Sequence, residues 1–227
     1  MLKEVSSPFE KKDIMFHSVT FSPEQYLDND FSNLSITFPD KLQRAVNKRR
    51  AEFLAGRYCA AKAIQGLGGV WCDNIPVGEK REPVWPEGFL GSITHCHQFA
   101  SAAVAKEATV QGVGIDSERI VSEKTENNIK DHLATKEELA IDAGGHDPEF
   151  LLTLIFSGKE ALYKCLFPLG RQMFYFKDAR FESIDWDRQV FGIRVLKDIG
   201  FQGSKGLLLE GQFNHEADRI DSIIILE

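Results

Sequence analysis

One order of elements occurs twice in this chain of 227 residues, and it narrows the folds open to it. A long helical stretch, Lys41 to Gln65, precedes short strand-like runs that end at Glu118. A second, Asp147 to Phe167, precedes four more strand-like runs reaching residue 226. A helix with one apolar stripe and strands with one apolar face bury those faces against each other. The echo predicts an α+β fold of two similar lobes packed together, with the intervening loops near a shared cleft. We place the lobes at residues 1–118 and 119–227.

Local signals set the expected boundaries. Residues 13–20 read as a first strand, and 21–39 as loop, broken by Pro23 and Pro39. Asp40 is placed to cap the first long helix, and Gly66, Gly68 and Gly69 to stop it. Leu42, Val46, Phe53, Ala60 and Ile64 form its apolar stripe, and Lys48, Arg49, Arg50 and Arg57 a basic one. Arg50 and Arg57 project the same way after two turns. The loop Gly78 to Trp85 carries Lys80 and Arg81 beside an aromatic ring and a proline. Residues 91–95, 100–105 and 112–118 read as three strands of an antiparallel meander. Thr135 and Glu138 form a capping-box pattern before a short helix reaching about Ala143. Asp147-Pro148-Glu149 opens the second long helix, expected to stop before Pro168. Strands are expected over 173–181, 189–196, 206–213 and 219–226.

Composition excludes several classes of function. Hydrophobic residues make up 43% and charged residues 27%, as in ordinary water-soluble proteins. The net charge is −7, so general attraction to nucleic acid or anionic membrane is not expected. The four cysteines, Cys59, Cys72, Cys96 and Cys165, have no zinc spacing; Cys59 and Cys165 sit in helical runs as small buried thiols. A reducing, cytoplasmic setting follows. There is no apolar leader at the N-terminus and no run long enough to span a bilayer.

The chemistry lies in two stretches. In Gly112-Val-Gly-Ile-Asp-Ser-Glu118, Asp116 and Glu118 point to one face of a strand while Ser117 points to the other. Two carboxylates there repel unless a positive charge lies between them. In Phe156-Ser-Gly-Lys-Glu-Ala-Leu-Tyr-Lys164, Glu160 and Lys164 share one helix face. Alone, that pair reads as a surface ion pair. With the strand acids, Asp116, Glu118 and Glu160 make three hard oxygen ligands suited to Mg²⁺. Cations surround this set: Arg50, Arg57, Lys80, Arg81, His95, Lys159 and Lys164. Many cations around a few acids point to a polyanionic substrate, most simply a phosphoanhydride. No Walker loop, dinucleotide-binding glycine fingerprint or kinase signature is present. His95 taken by itself reads equally as a structural histidine.

These two stretches together resemble the signature of the surfactin-synthetase-activating (Sfp) type of 4′-phosphopantetheinyl transferase. Arg50-Ala-Glu-Phe-Leu-Ala-Gly-Arg57, Gly78-Glu-Lys-Arg-Glu-Pro-Val-Trp-Pro86 and Gly91-Ser-Ile-Thr-His-Cys96 resemble its enterobactin-synthase branch. The resemblance runs over about residues 40–170, with the motifs in matching order. It implies an intramolecular pseudo-dimer with coenzyme A in the cleft between its lobes. It also implies transfer of the phosphopantetheine arm from coenzyme A to a serine of an acyl, aryl or peptidyl carrier domain, with adenosine 3′,5′-bisphosphate as the other product. By the same resemblance, Asp116, Glu118 and Glu160 bind Mg²⁺. Glu160 activates the serine, and Lys164 holds the pyrophosphate. His95 contacts phosphates, with Thr94 offering a hydroxyl. Arg50, Arg57 and Arg81 form a basic rim, with Lys80 and Lys159 near it. The implied partners are apo carrier domains of nonribosomal peptide, polyketide or siderophore synthases, met by a monomer.

Two rival readings have distinct signatures. Metal-dependent nucleases carry acids followed by Glu-x-Lys, but here Lys159 precedes Glu160, and a −7 chain is poorly suited to DNA. A catalytically silent coenzyme A-binding module would not need all three acids.

Overall fold

A computed structural model describes residues 1–227 as two compact units, Met1–Gln111 and Gly112–Glu227. The expected boundary after Glu118 is therefore too late. The strand Gly112–Arg119 belongs wholly to the second unit, where its apolar residues find their partners.

The first unit contains β1 (Leu2–Val5), β2 (Ile14–Phe21), a short helix α1 (Asp30–Asn33), α2 (Asn47–Gly66), β3 (Phe89–Cys96) and β4 (Phe99–Lys106). Its antiparallel sheet runs β1-β2-β4-β3. Strand β4 is nearly all small residues, and Ala100, Ala102 and Val104 join Leu54, Cys59, Ala60 and Ile64 of α2 in one core. Small side chains let the helix approach closely enough for Cys59 Sγ to reach the Ala100 carbonyl at 3.6 Å. The β3–β4 register sets Ile93 opposite Ala102 and His95 opposite Ala100, so both point to the α2 side while Thr94 points away.

Helix α2 starts at Asn47 rather than Lys41. Asp40–Leu42 form only a 3₁₀ turn, and the Arg50 side chain takes the Leu42 and Gln43 carbonyls at 3.2 and 2.7 Å. Val46 accordingly lies outside the helix, exposed, and is not part of an apolar stripe.

The second unit contains β5 (Gly112–Arg119), α3 (Glu123–Leu133), α4 (Lys136–Leu139), α5 (Pro148–Gly170), β6 (Ala179–Asp185), β7 (Val190–Val195), β8 (Leu208–Glu216) and β9 (Arg219–Leu226). The sheet order is β5-β9-β8-β7-β6, all antiparallel. The expected three-strand meander thus stops at β4. Strand β5 is buried from Gly112 to Ser117, and it pairs with the isoleucine-rich β9, Ile115 opposite Ile223 and Asp116 opposite Ser222. Helix α5 lies across β5 and β9, and α3 and α4 pack beside it. It passes through Pro168 to Gly170 and ends on Arg171 in the left-handed region, whose N–H donates to Phe167 O at 2.8 Å. In a last turn the missing proline N–H costs one bond and does not break the helix. The strand expected over 173–181 begins only at Ala179. No helix is long and apolar enough to cross a membrane.

Candidate active site

Two glycines decide how the acids and the lysine motif meet. A Cβ at Gly114 would overlap the Ala161 carbonyl oxygen, and one at Gly112 would crowd the Cys165 carbonyl. Only a strand without side chains there lets α5 lie directly on β5. Two and four residues beyond Gly114, on the same strand face, come Asp116 and Glu118. Facing them, α5 presents Glu160 and Lys164. Lys164 Nζ donates to Asp116 Oδ1 at 2.7 Å and to the Ile115 carbonyl at 3.1 Å. Ser117, on the other face, hydrogen-bonds Asp221 of β9.

The electrostatics confirm that these acids feel one another. Burial pushes the Glu118 carboxyl up to about 8; the Asp116 charge adds to the rise, Lys164 opposes it and Glu160 adds again. Burial also raises Glu160, Lys164 opposing and Asp116 assisting. Carboxyl oxygens whose charged form is disfavoured, as at Glu118 and Glu160, are of the hard kind that a divalent cation could take. As they stand, no three His, Cys, Asp or Glu side chains form a group that could hold a metal ion. Mg²⁺ takes few carboxylates and completes its shell with water and phosphate oxygens.

This arrangement predicts a pH dependence with a definite sign. Folded protein keeps the Glu118 proton up to about pH 8, whereas the unfolded chain releases it near 4.5. Between those values the folded state binds more protons, so stability falls as pH rises. Thermal melts in EDTA should show a midpoint that declines across this window. Saturating Mg²⁺ should raise it more at the alkaline end, where no proton must be displaced. Glu118→Gln should flatten the decline.

The first unit holds a separate basic cavity of about 860 Å³. It is lined by Arg49, Glu52, Phe53 and Arg57 of α2, Arg81 of the following loop and His95 of β3. Arg57 is buried; its Nε donates to the Ile75 carbonyl at 2.8 Å and its guanidinium lies 4.5 Å from the Phe53 ring centre. Burial, then the neighbouring Arg49 charge, lowers its pKa to about 10, which leaves it cationic at neutral pH. Arg81 is held at φ 74, in a turn closed by its N–H on Gly78 O. Arg49 Nη1 donates to His95 Nε2 at 3.0 Å. Such a cluster of guanidinium groups binds phosphate oxygens.

The comparisons fit this division. Residues 38–105 match the 4′-phosphopantetheinyl transferase N-terminal domain, and residues 112–208 match the 4′-phosphopantetheinyl transferase superfamily. The chain is 32% identical over 191 residues to 4′-phosphopantetheinyl transferase PptT of Mycobacterium tuberculosis, covering 82% of each protein. The chain belongs to the 4′-phosphopantetheinyl transferase superfamily. It is also 38% identical over 151 residues to enterobactin synthase component D of Escherichia coli K12, which covers 65% of this chain and 68% of that protein. With the same component of Salmonella typhi the identity is 36% over 150 residues, and the match spans only 60% of that relative's length. The two family matches meet between residues 105 and 112, where the two structural units also divide.

Several side chains expected from sequence to contact coenzyme A lie outside the lining of this cavity. Arg50 does not line the cavity: it ties down the Leu42 and Gln43 carbonyls and pairs with Asp28 at 2.8 Å. Its neighbour Arg49 takes the cavity position. Both lie in the basic run Lys48-Arg49-Arg50, and one residue turns a helical side chain by about 100°. Lys80 and Thr94 are also outside the lining. Thr94 is buried on the opposite face of β3. Lys159 is buried; its Nζ donates to the Leu133 carbonyl at 2.9 Å and to Glu138 Oε2 at 3.0 Å, with Glu138 Oε1 at 2.7 Å. Its charge is thus matched by Glu138, inside the second unit.

The second unit carries a further surface over residues 119–146. It forms α3 and α4, and a cavity of about 1000 Å³ there is lined by Glu123, Glu126, Asp147 and Glu149, with Lys130 as its one lysine.

Proposed function

We propose that this protein transfers the 4′-phosphopantetheine group of coenzyme A to a serine of an apo carrier domain. The observation that carries the proposal is the meeting of Asp116, Glu118, Glu160 and Lys164 at the β5–α5 contact, in a chain of this family. The serine oxygen forms a bond to the phosphorus bearing the pantetheine arm. The bond from that phosphorus to the bridging oxygen breaks, and adenosine 3′,5′-bisphosphate leaves with the electron pair. The serine proton passes to a carboxylate. Glu160 is our candidate, because burial holds its pKa above the usual carboxylate range, nearer the working pH of a general base. Asp116, Glu118 and Glu160 would hold Mg²⁺, which when bound would offset the diphosphate charge. Lys164 would add a fixed positive charge beside the same oxygens. Arg49, Arg57 and Arg81 would receive phosphates of coenzyme A, with His95 beside Arg49.

The carriers proposed are those of nonribosomal peptide, polyketide or siderophore synthases. The relatives named enterobactin synthase component D favour the siderophore class. Intact-mass analysis of an apo carrier incubated with coenzyme A and Mg²⁺ tests the reaction. The carrier should gain the mass of one phosphopantetheine; no gain with carriers of all three synthase classes would overturn the proposal.

The cavity residues make a separate prediction. Arg49→Ala should raise the Michaelis constant for coenzyme A about tenfold while changing turnover much less, the pattern of a contact equally strong in ground and transition states. Arg57→Ala should do the same and also lower the melting temperature, because Arg57 ties α2 to the Ile75 carbonyl. Steady-state kinetics with a fixed carrier would check both, and a pure turnover defect would count against the assignment.

A further inference from the structure

Of the two carboxylates that line the basic cavity, Asp40 and Glu52, one lies beside Arg49 and His95, where it would repel an anionic ligand. Glu52 projects from α2 with a side chain only 13% exposed. Its Oε2 lies 3.4 Å from Arg49 Nη1 and 4.0 Å from His95 Nδ1. Arginine has no acceptor, so in the 3.0 Å contact between Arg49 Nη1 and His95 Nε2 the arginine donates. His95 Nε2 must then carry its lone pair, and a neutral ring must carry its proton on Nδ1. That nitrogen is the one turned toward Glu52. The two hydrogens of Arg49 Nη1 are directed to Glu52 and to His95, and the guanidinium so held belongs to the lining of the cavity.

We propose that Glu52 is a positioning residue of this site. Its charge favours the Nδ1–H tautomer of His95, and that tautomer supplies the acceptor that orients Arg49. The carboxylate, the imidazole and the guanidinium thus form a preset chain in which only Arg49 need touch the phosphate. A carboxylate that fixes a histidine tautomer from behind commonly orients ligand-binding groups in this way. The cost of an acid in a cationic cavity is offset by an arginine held ready before the ligand arrives. The identity of the anion rests on the reading of the cavity as a coenzyme A site; the tautomer does not.

The test has two arms. In ligand-free protein labelled with ¹⁵N-histidine, the His95 ring should show the Nδ1–H pattern. Glu52→Ala should lose it and Glu52→Gln should keep it, because an amide oxygen can still face Nδ1–H. In kinetics, Glu52→Ala should raise the Michaelis constant for coenzyme A about tenfold with turnover changed less, and Glu52→Gln should restore most of the loss. An unchanged tautomer in Glu52→Ala, or a turnover defect without a change in Michaelis constant, would overturn the proposal. If the alanine variant does not fold, Glu52→Asp withdraws the carboxylate by one methylene. It should move both readouts in the same direction, and an aspartate variant identical to wild type overturns the role. If the tautomer behaves as expected but calorimetry finds no coenzyme A binding by wild type, the ligand reading fails and the role of Glu52 stands.

Discussion

Glu160→Gln and Asp116→Asn should each lower turnover by about a hundred- to a thousandfold while leaving the fold intact. The size follows from removing a charged group that acts on the reacting atoms. Fold retention follows from the electrostatics. Glu160 is held above the ordinary carboxylate range by burial, so its charged form is disfavoured where it stands. An amide of the same shape removes that burden, and the melting temperature of Glu160→Gln should hold or rise at neutral pH. Asp116→Asn is harsher, because it also removes the anionic partner of Lys164 at 2.7 Å. Its melting temperature should fall modestly while its turnover falls as far. Single-turnover mass measurements with thermal melts separate the two effects. Full turnover of either variant in Mg²⁺ would refute the site.

The second large effect concerns stability. Lys159→Met should destabilise the protein by about 3–5 kcal/mol, the usual result of removing one partner of a buried ion pair. Glu138 is 0% exposed, and its carboxylate is a hub. It accepts from the Thr135 and Phe181 backbone N–H groups at 2.8 Å each and from Lys159. Without the lysine, that carboxylate stays buried with no cation beside it. The double variant Lys159→Met, Glu138→Gln should recover part of the loss, because it removes the unpaired charge, while the one amide oxygen keeps one of the two backbone N–H bonds. Urea unfolding of the four combinations gives the coupling directly. A single variant with an unchanged midpoint would show that the pair is not structural. Activity should follow the folded fraction, since Lys159 reaches α4 and the end of α3 rather than a ligand.

The sequence by itself determined a good deal. The α+β class, the two long helices, the capping box at Thr135–Glu138 and the burial of Cys59 and Cys165 were all legible, because hydrophobic period and end signals are local. The pairing of Asp116 and Glu118 on one strand face was legible for the same reason. So was the sharing of one helix face by Glu160 and Lys164.

Tertiary structure decided the rest. Strand β5 looked like the third strand of a meander, yet it joined β9, a hundred residues away in the chain, since no local signal states which strand buries a given apolar face. Arg49 and Arg50 are adjacent cations in one run, and nothing local says which is taken by loop carbonyls and which faces the cavity. Lys159 looked like one more basic residue of a charged motif until Glu138 and the Leu133 carbonyl closed around it. The strand-on-helix contact at Gly114 brought Asp116 to Lys164, and it depended on a backbone approach that no spacing in the chain could report. Chain-local rules fix the direction in which a side chain points; only packing fixes what it meets.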